Sequence, residues 1–289
     1  MSTTGNPRRG QRSILRWVTR PVTFVAVVAI VVLGVAVGVT AKLSTKTPDT
    51  THKKITGCHP QRTFVPAFFY ASGIWQQAAN TKPVPSYMIL DISGTGAGSG
   101  PVAHFQTIVK QEQAAGVTIL GYSSTGYGLR PASQVEADVR NYKTWYGVTD
   151  IFLDEVRGIR SQLRYYRKLA QYIHGANPGS SIWINPGNYP DPSYMSVSNV
   201  VMAFEGPFSA YHNVVVPSWA FGYNPDRFAN TIYATRGSQV SKALSLSRSR
   251  NAGYVYVTDG TGGNPYSGLP SYWSAEDSDI TQGCPTSAS

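Results

Sequence analysis

Residues 150–174 read DIFLDEVRGIRSQLRYYRKLAQYIH, and this stretch holds one whole unit of the fold. Asp150–Asp154 is a short run centred on Ile151, Phe152 and Leu153, the length of a buried strand. From Ile159 to His174 the period changes. Leu163, Tyr166, Ala170 and Ile173 fall on one helical face, and Arg160, Arg164, Arg167 and Lys168 fall elsewhere. His174 and Gly175 close the helix. A strand apolar on both faces, followed by an amphipathic helix, is the repeating unit of a parallel sheet covered by helices.

The pattern recurs on both sides. Candidate strands are Phe64–Tyr70, Tyr87–Ile92, Val117–Tyr122, Asp150–Asp154, Ser181–Asn185, Val200–Glu205, Asn230–Ala234 and Gly253–Thr258. Helical patterns cover Val102–Ala115, which stops at Gly116, Ala132–Trp145, which follows Pro131, and, more weakly, Gln239–Ser247. Ala71–Pro85 and Gly206–Ala229 read as irregular connections. Eight strands alternating with helices predict an α/β fold, a (β/α)8 TIM-type barrel. An open doubly wound sheet is the alternative. The Gly-rich Gly94–Gly100 (GTGAGSG) has neither the GxGxxG spacing nor a following GK[ST], so it reads as a mobile loop at the barrel mouth.

In such a barrel, chemistry gathers at the C-terminal ends of the strands. Those ends carry Tyr70, Asp91, Tyr122, Asp154 with Glu155, Asn185, Glu205 and Asp259. Only 14 acids lie beyond residue 54, and five of them fall here, more than scattered surface charge would place. Strands four and six lie two apart round the barrel, so Asp154 and Glu205 can face each other across the mouth. A carboxylate pair at a cleft is what glycoside hydrolysis needs: one acid protonates the leaving oxygen, and the other attacks the anomeric carbon or activates water. Asp154, Glu155 and Glu205 are therefore the candidate catalytic residues, with Glu155 in a supporting role. Tyr70, Asp91, Tyr122, Asn185, Tyr223 and Asp259 are the candidate substrate contacts. Each has a plainer reading: a cap or ion pair for Asp154 and Glu155, a turn for Asp91, Asn185 and Asp259, and core packing for the aromatics.

Other chemistries fit less well. None of His52, His59, His104, His174 and His212 pairs at the spacing of a metal motif or ends a strand, so no metal or other cofactor is implied. Gly121–Gly126 (GYSSTG) misses the G-x-S-x-G elbow because Thr125 stands where the second glycine would fall.

The charge is concentrated at one end. Residues 1–54 hold nine Lys or Arg and one acid, so most of the chain's +10 belongs there, and the remainder is no case for a nucleic-acid-binding domain. Pro21–Val39 is nineteen uncharged residues, roughly 28 Å as a helix and about one bilayer core. The five arginines before it place the N-terminus inside. The expected organisation is a cytoplasmic basic segment at 1–20, a transmembrane anchor or cleaved signal segment at 21–41, a linker at 42–57 and the barrel at 58–289. The barrel would lie outside the membrane, as a monomer, or be secreted if the segment is cut after Val39-Thr40-Ala41. Cys58 and Cys284 flank it, in a compartment that permits a disulfide. Two unpaired thiols are the alternative.

Several of these segments are similar to the spherulin-4 (spherulation-specific family 4) proteins. They are VPAFFYASGIW (65–75), AAGVTILGYSSTGYGLR (114–130), WYGVTDIFLDEV (145–156), INPGNYPDPSYM (184–195), VVMAFEG (200–206) and YVYVTDGTGGNPYSGLPSYW (254–273). The resemblance runs from about Val65 to Trp273. It includes glycoside hydrolase family 135 and so implies a (β/α)8 barrel and endo-cleavage of α-1,4 linkages in N-acetylgalactosamine-containing polysaccharide. By position, the family's Asp-Glu pair falls on Asp154 and Glu155, and its later acid on Glu205. The loop ISGTGAGSGP after the second strand departs from the family's Asn-Pro-Ser-Gly-like turn. A carbohydrate-binding barrel without catalysis is the second functional expectation.

Overall fold

The computed structural model describes residues 60–274 and residue 280. Residues 1–57, with the expected anchor and linker, lie outside the described residues, as do Cys58 and Cys284. No helix among the described residues is long and apolar enough to cross a membrane.

Eight parallel strands close into a barrel in sequence order: β1 (Arg62–Pro66), β2 (Tyr87–Leu90), β3 (Thr118–Ser124), β4 (Asp150–Asp154), β5 (Ile182–Ile184), β6 (Val200–Pro207), β7 (Phe228–Tyr233) and β8 (Tyr254–Val257). β8 pairs back onto β1, with Arg62 opposite Tyr254, so no strand edge is left open. The helices are α1 (Ser72–Ala79), α2 (Ala103–Ala114), α3 (Ala132–Tyr146), α4 (Leu163–Ala176), α5 (Phe208–Tyr211) and α6 (Val240–Ser249). All eight expected strands form. The two stretches expected to be irregular contain α1 and α5. In α1 the reason is tertiary: Trp75 and Ala78 are fully buried, and Trp75 Nε1 donates to Phe69 O at 3.1 Å. That packing outweighs a start with no side-chain cap.

Strand alternation fills the lumen in layers. Deepest, the Trp183 ring packs on Phe64 at 5.4 Å and on Tyr87 and Tyr254 at 4.8 Å each. Pro66, Ile89, Phe152 and Met202 form an apolar floor beneath the mouth. One step further come the polar groups of the mouth. Outward-facing residues meet the helices: α4 buries Leu163, Tyr166, Leu169, Ala170 and Ile173, close to the stripe its sequence shows.

The loop after β2 departs from the expectation of mobility. Arg130 Nη1 donates to Thr95 O at 2.9 Å, Ser124 N donates to Thr95 O at 3.0 Å, and Ala97 N donates to Asp138 Oδ1 at 3.2 Å. Gly96 is glycine for space, since a Cβ there would lie 2.2 Å from the Asp138 carboxylate. The loop is bolted to β3 and α3.

Candidate active site

Above the apolar floor, three consecutive strands present Asp154, Asn185 and Glu205 to one hollow, which Phe68, Thr231 and Tyr266 also line. The enclosed space at its bottom is about 20 Å³, room for a water-sized group, and the hollow opens outward from there.

Asp154 reaches the lumen by ordinary alternation. Phe152 and Asp154 share a face, and Leu153 lies on the other. Glu205 does not. Met202 pairs with Ala229, but Phe204 pairs with Asn230, so Ala203 is a bulge. The extra residue lets Met202 and Glu205 both face inward, while Phe204 turns out against the Tyr211 ring at 4.6 Å. An unbulged strand would send Glu205 to the helix side.

Asn185 sits between the two acids. Its Nδ2 donates to Asp154 Oδ1 at 2.8 Å and to Glu205 Oε2 at 2.5 Å. Those two oxygens are therefore no further apart than the two bonds laid end to end, about 5.3 Å. Gly187 N donates to Asn185 Oδ1 at 2.9 Å, which fixes which end of the amide carries the hydrogens. The remaining oxygens are also held. Tyr122 OH donates to Asp154 Oδ2 at 2.8 Å, and Tyr266 OH donates to Glu205 Oε1 at 2.8 Å.

Burial pushes the Asp154 carboxyl up to about 7, with the charge of Glu205 as the second cause; the bonds from Tyr122 and Asn185 act the other way. Asp154 and Glu205 share the Asn185 amide, so the proton is held by the hydrogen-bonded pair rather than fixed on one acid. Burial, and then the neighbouring carboxylate, also lifts the Tyr122 and Tyr266 hydroxyls far above the usual phenol range, so both remain donors.

Glu155 breaks the alternation of β4. Its φ of +54° swings the chain, and Ser124 Oγ donates to Glu155 Oε2 at 2.5 Å. Ser124 pairs with Asp154 across the ladder, so Glu155 stands at the mouth beside Asp154. Thr125 Oγ1 lies 2.8 Å from Asp154 O and 2.9 Å from Glu155 O, which ties down the left-handed turn.

The other expected contacts lie elsewhere. Asp91 Oδ1 accepts from Ser93 N at 3.2 Å and from Gly94 N at 2.9 Å, so its carboxyl, raised to about 6 chiefly by burial, shapes its own loop. Asp259 accepts from Ser271 N and Ser271 Oγ, at 3.2 and 2.5 Å, and ties down the loop after β8. Tyr70 is 64 % exposed and stacks on His104 at 4.2 Å. Tyr223 lies at the opposite end of the barrel: its ring meets Phe228, the first residue of β7, and its carbonyl accepts from Asn251, ahead of β8. Tyr122, Asp154, Glu155, Asn185 and Glu205 do come together. Tyr266, from the loop after β8, joins them through its bond to Glu205. Among the described residues, no group of three or more His, Cys, Asp or Glu is placed to hold a metal ion.

The fold and its mouth define a (β/α)8 barrel with a paired-carboxylate cleft at the C-terminal face. The model of the spherulation-specific family 4 (Spherulin4) matches residues 62–278, and the chain belongs to that family. Spherulin-4 of Physarum polycephalum is 31 % identical over 243 residues, which cover 79 % of this chain and 73 % of the relative. Among solved structures, Sph3 of Aspergillus clavatus in complex with GalNAc superposes with a TM-score of 0.67 at 21 % identity, covering 77 % of this chain and 98 % of that one. A chitinase from Chromobacterium violaceum gives 0.51 at 10 %, covering 76 % and 98 %. At these identities the structural matches speak to the fold.

Proposed function

We propose that this protein is a retaining, endo-acting glycoside hydrolase of an amino-sugar polysaccharide, of the galactosamine or N-acetylgalactosamine type. The observation that carries the reading is the Asp154–Asn185–Glu205 array. Retaining enzymes place their two carboxyl groups roughly 5–5.5 Å apart, whereas inverting enzymes leave roughly 6.5–9.5 Å for a water. The bound of about 5.3 Å set by the Asn185 amide falls in the first class.

In this reading Asp154, on the shorter side chain and held at both oxygens, attacks the anomeric carbon from the floor of the cleft. Glu205, one methylene longer, protonates the leaving oxygen and then takes the proton from the incoming water. A pair that holds one proton near neutrality supplies both forms at once. Glu155 supports them from the rim. The sugar class rests on family membership and on the GalNAc bound by Sph3. The apolar 21–39 segment would hold the barrel on the outer side of the membrane; fractionation with protease accessibility of the intact cell tests that placement.

The enzymatic test is product release by the purified protein from α-1,4-linked galactosamine and N-acetylgalactosamine polymers, with the anomer of the first product read by NMR. Asp154→Asn and Glu205→Gln should each lower turnover by about 10³-fold or more. Azide should restore Asp154→Asn with an inverted glycosyl azide, and Glu205→Gln with a retained one. Saccharide binding with no turnover, unchanged by either substitution, would leave a binding module instead.

A further inference from the structure

The loop after β3 is fastened at nearly every residue. Thr125 Oγ1 meets the carbonyls of Asp154 and Glu155 and lies 2.9 Å from Tyr166 OH. Gly126 N donates to Ser124 Oγ at 3.2 Å, the same hydroxyl that binds Glu155. The Arg130 guanidinium donates to Thr95 O, Ser123 Oγ and Ser124 O, and Arg130 O accepts from Tyr165 OH at 2.8 Å. Gly128 lies against the turn before α4, where an added Cβ would come within 2.7 Å of Gln162 Oε1.

The Tyr127 side chain is the exception. It is 54 % exposed. Its backbone is left-handed, with φ +57° between Gly126 at +54° and Gly128 at +80°. Glycine accepts that conformation freely, whereas a residue with a Cβ does so at a cost, and only where the surroundings dictate it. Partial burial first, and then the charges of Glu155, Asp154 and Glu205, raise the Tyr127 hydroxyl above the usual phenol range, so the ring stands within electrostatic reach of all three acids. Exposed large apolar side chains concentrate on the same side. Among the described residues they are Tyr70, Tyr127, Leu129, Ile159 and Val215, and three of these five lie on the loops after β3 and β4.

We propose that Tyr127 is a substrate-positioning residue. Its ring face walls a second sugar subsite beside the cleavage point, stacking on the apolar face of a pyranose further along the polysaccharide. This rests on the glycoside hydrolase reading. An exposed aromatic on a fixed loop loses little freedom when a flat ring lies on it, which is what a platform requires. Tyr70, by contrast, already has one face covered by His104.

The test uses the full-length protein with Tyr127→Ala, Tyr127→Gly, Tyr127→Phe and Tyr127→Trp. KM and kcat are measured on N-acetylgalactosamine-containing polymer, and Tm is measured on each variant. Tyr127→Ala and Tyr127→Gly should raise KM about 5–10-fold, the range of one aromatic contact, with kcat changed less than threefold. Tyr127→Phe and Tyr127→Trp should keep KM within about threefold of the parent. Tyr127→Gly should keep or raise Tm, because glycine relaxes the left-handed turn, so a KM rise there is not a folding defect. An unchanged KM in Tyr127→Ala overturns the subsite, as does a loss of kcat that follows a fall in Tm. If the parent releases no product, the hydrolase reading fails, and the subsite is judged separately by titrating N-acetylgalactosamine oligomers into the parent and Tyr127→Ala. Weaker binding by the variant upholds it; equal binding, or none by the parent, overturns it.

Discussion

Asp154 and Glu205, from strands that do not touch, are held to one another through the single amide of Asn185. The amide places a donor on each carboxylate, and donors stabilise the ionised forms. It also sets the spacing on which a retaining reaction depends.

Asn185→Ala should therefore do two things. Turnover should fall about 10–100-fold, because the carboxylates lose a shared anchor while both remain present. The alkaline limb of the pH profile should move as well. In the parent, activity should decline as pH rises through about 7, where the pair loses its proton. Without the Asn185 donor the proton is held more tightly, so the limb moves to higher pH. A limb that stays in place, or moves down, argues against this origin.

The same carboxyl bears on stability, with a definite sign. Asp154 is raised in the fold to about 7 from an ordinary 3.8, so between those values the folded chain binds the extra proton. Stability from this group is present at low pH and is lost as pH rises toward 7. Asp154→Asn removes the cost of an ionised buried group and keeps an acceptor for Asn185. It should stabilise the protein by about 1–3 kcal/mol at pH 8 and by much less at pH 4.5. Thermal melts of the pair at both pH values check this, and a gain larger at pH 4.5 would reverse the assignment.

The sequence makes some of this legible and hides the rest for definite reasons. Asp154 and Glu205 are visible because a strand end is a fixed place in a barrel. Asn185, expected as a substrate contact or, more plainly, a turn residue before Pro-Gly, serves the turn with its oxygen through Gly187 and the two acids with its nitrogen. The left-handed φ of Glu155 leaves no trace in residue type. Tyr266 arrives from a loop 61 residues beyond its partner, a distance no periodicity spans. Asp91 and Asp259 show the converse, since acids at strand ends also shape loops.

The bulge in β6 is a second hidden feature, and it is testable by changing residue count. Deleting Ala203 removes the residue that stands outside the ladder, so Phe204 should keep facing the helices and Glu205 the lumen. Activity should stay within about tenfold of the parent, because only the local twist of β6 changes. Stability should change by no more than about 1–2 kcal/mol, since Phe204 keeps its packing on Tyr211. Ala203→Gly keeps the count and should retain activity within about threefold. A loss of about 10³-fold or more in the deletion would mean that Ala203 belongs to the ladder and that Glu205 does not owe its orientation to a bulge there.

Arg130 is the last of these fixed points. Its guanidinium lies 2.8 Å from Asp138, whose side chain is only 8 % exposed, and the same group holds the loop after β2 and the end of β3. Removing one member of a largely buried pair strands the other, at a cost of about 2–4 kcal/mol here, since Arg130 itself is 19 % exposed. Arg130→Ala should therefore lower Tm by about 5–10 °C. Asp138 also accepts from Ser123 Oγ and Ala97 N, so Asp138→Asn alone should cost less than Arg130→Ala. The double variant should be more stable than the sum of the two single changes predicts, because the stranded charge is gone. KM for polymer should rise with Arg130→Ala, since Ser124 and Tyr127 stand on the segment it anchors. Strictly additive losses in the double variant would show that Arg130 and Asp138 act separately.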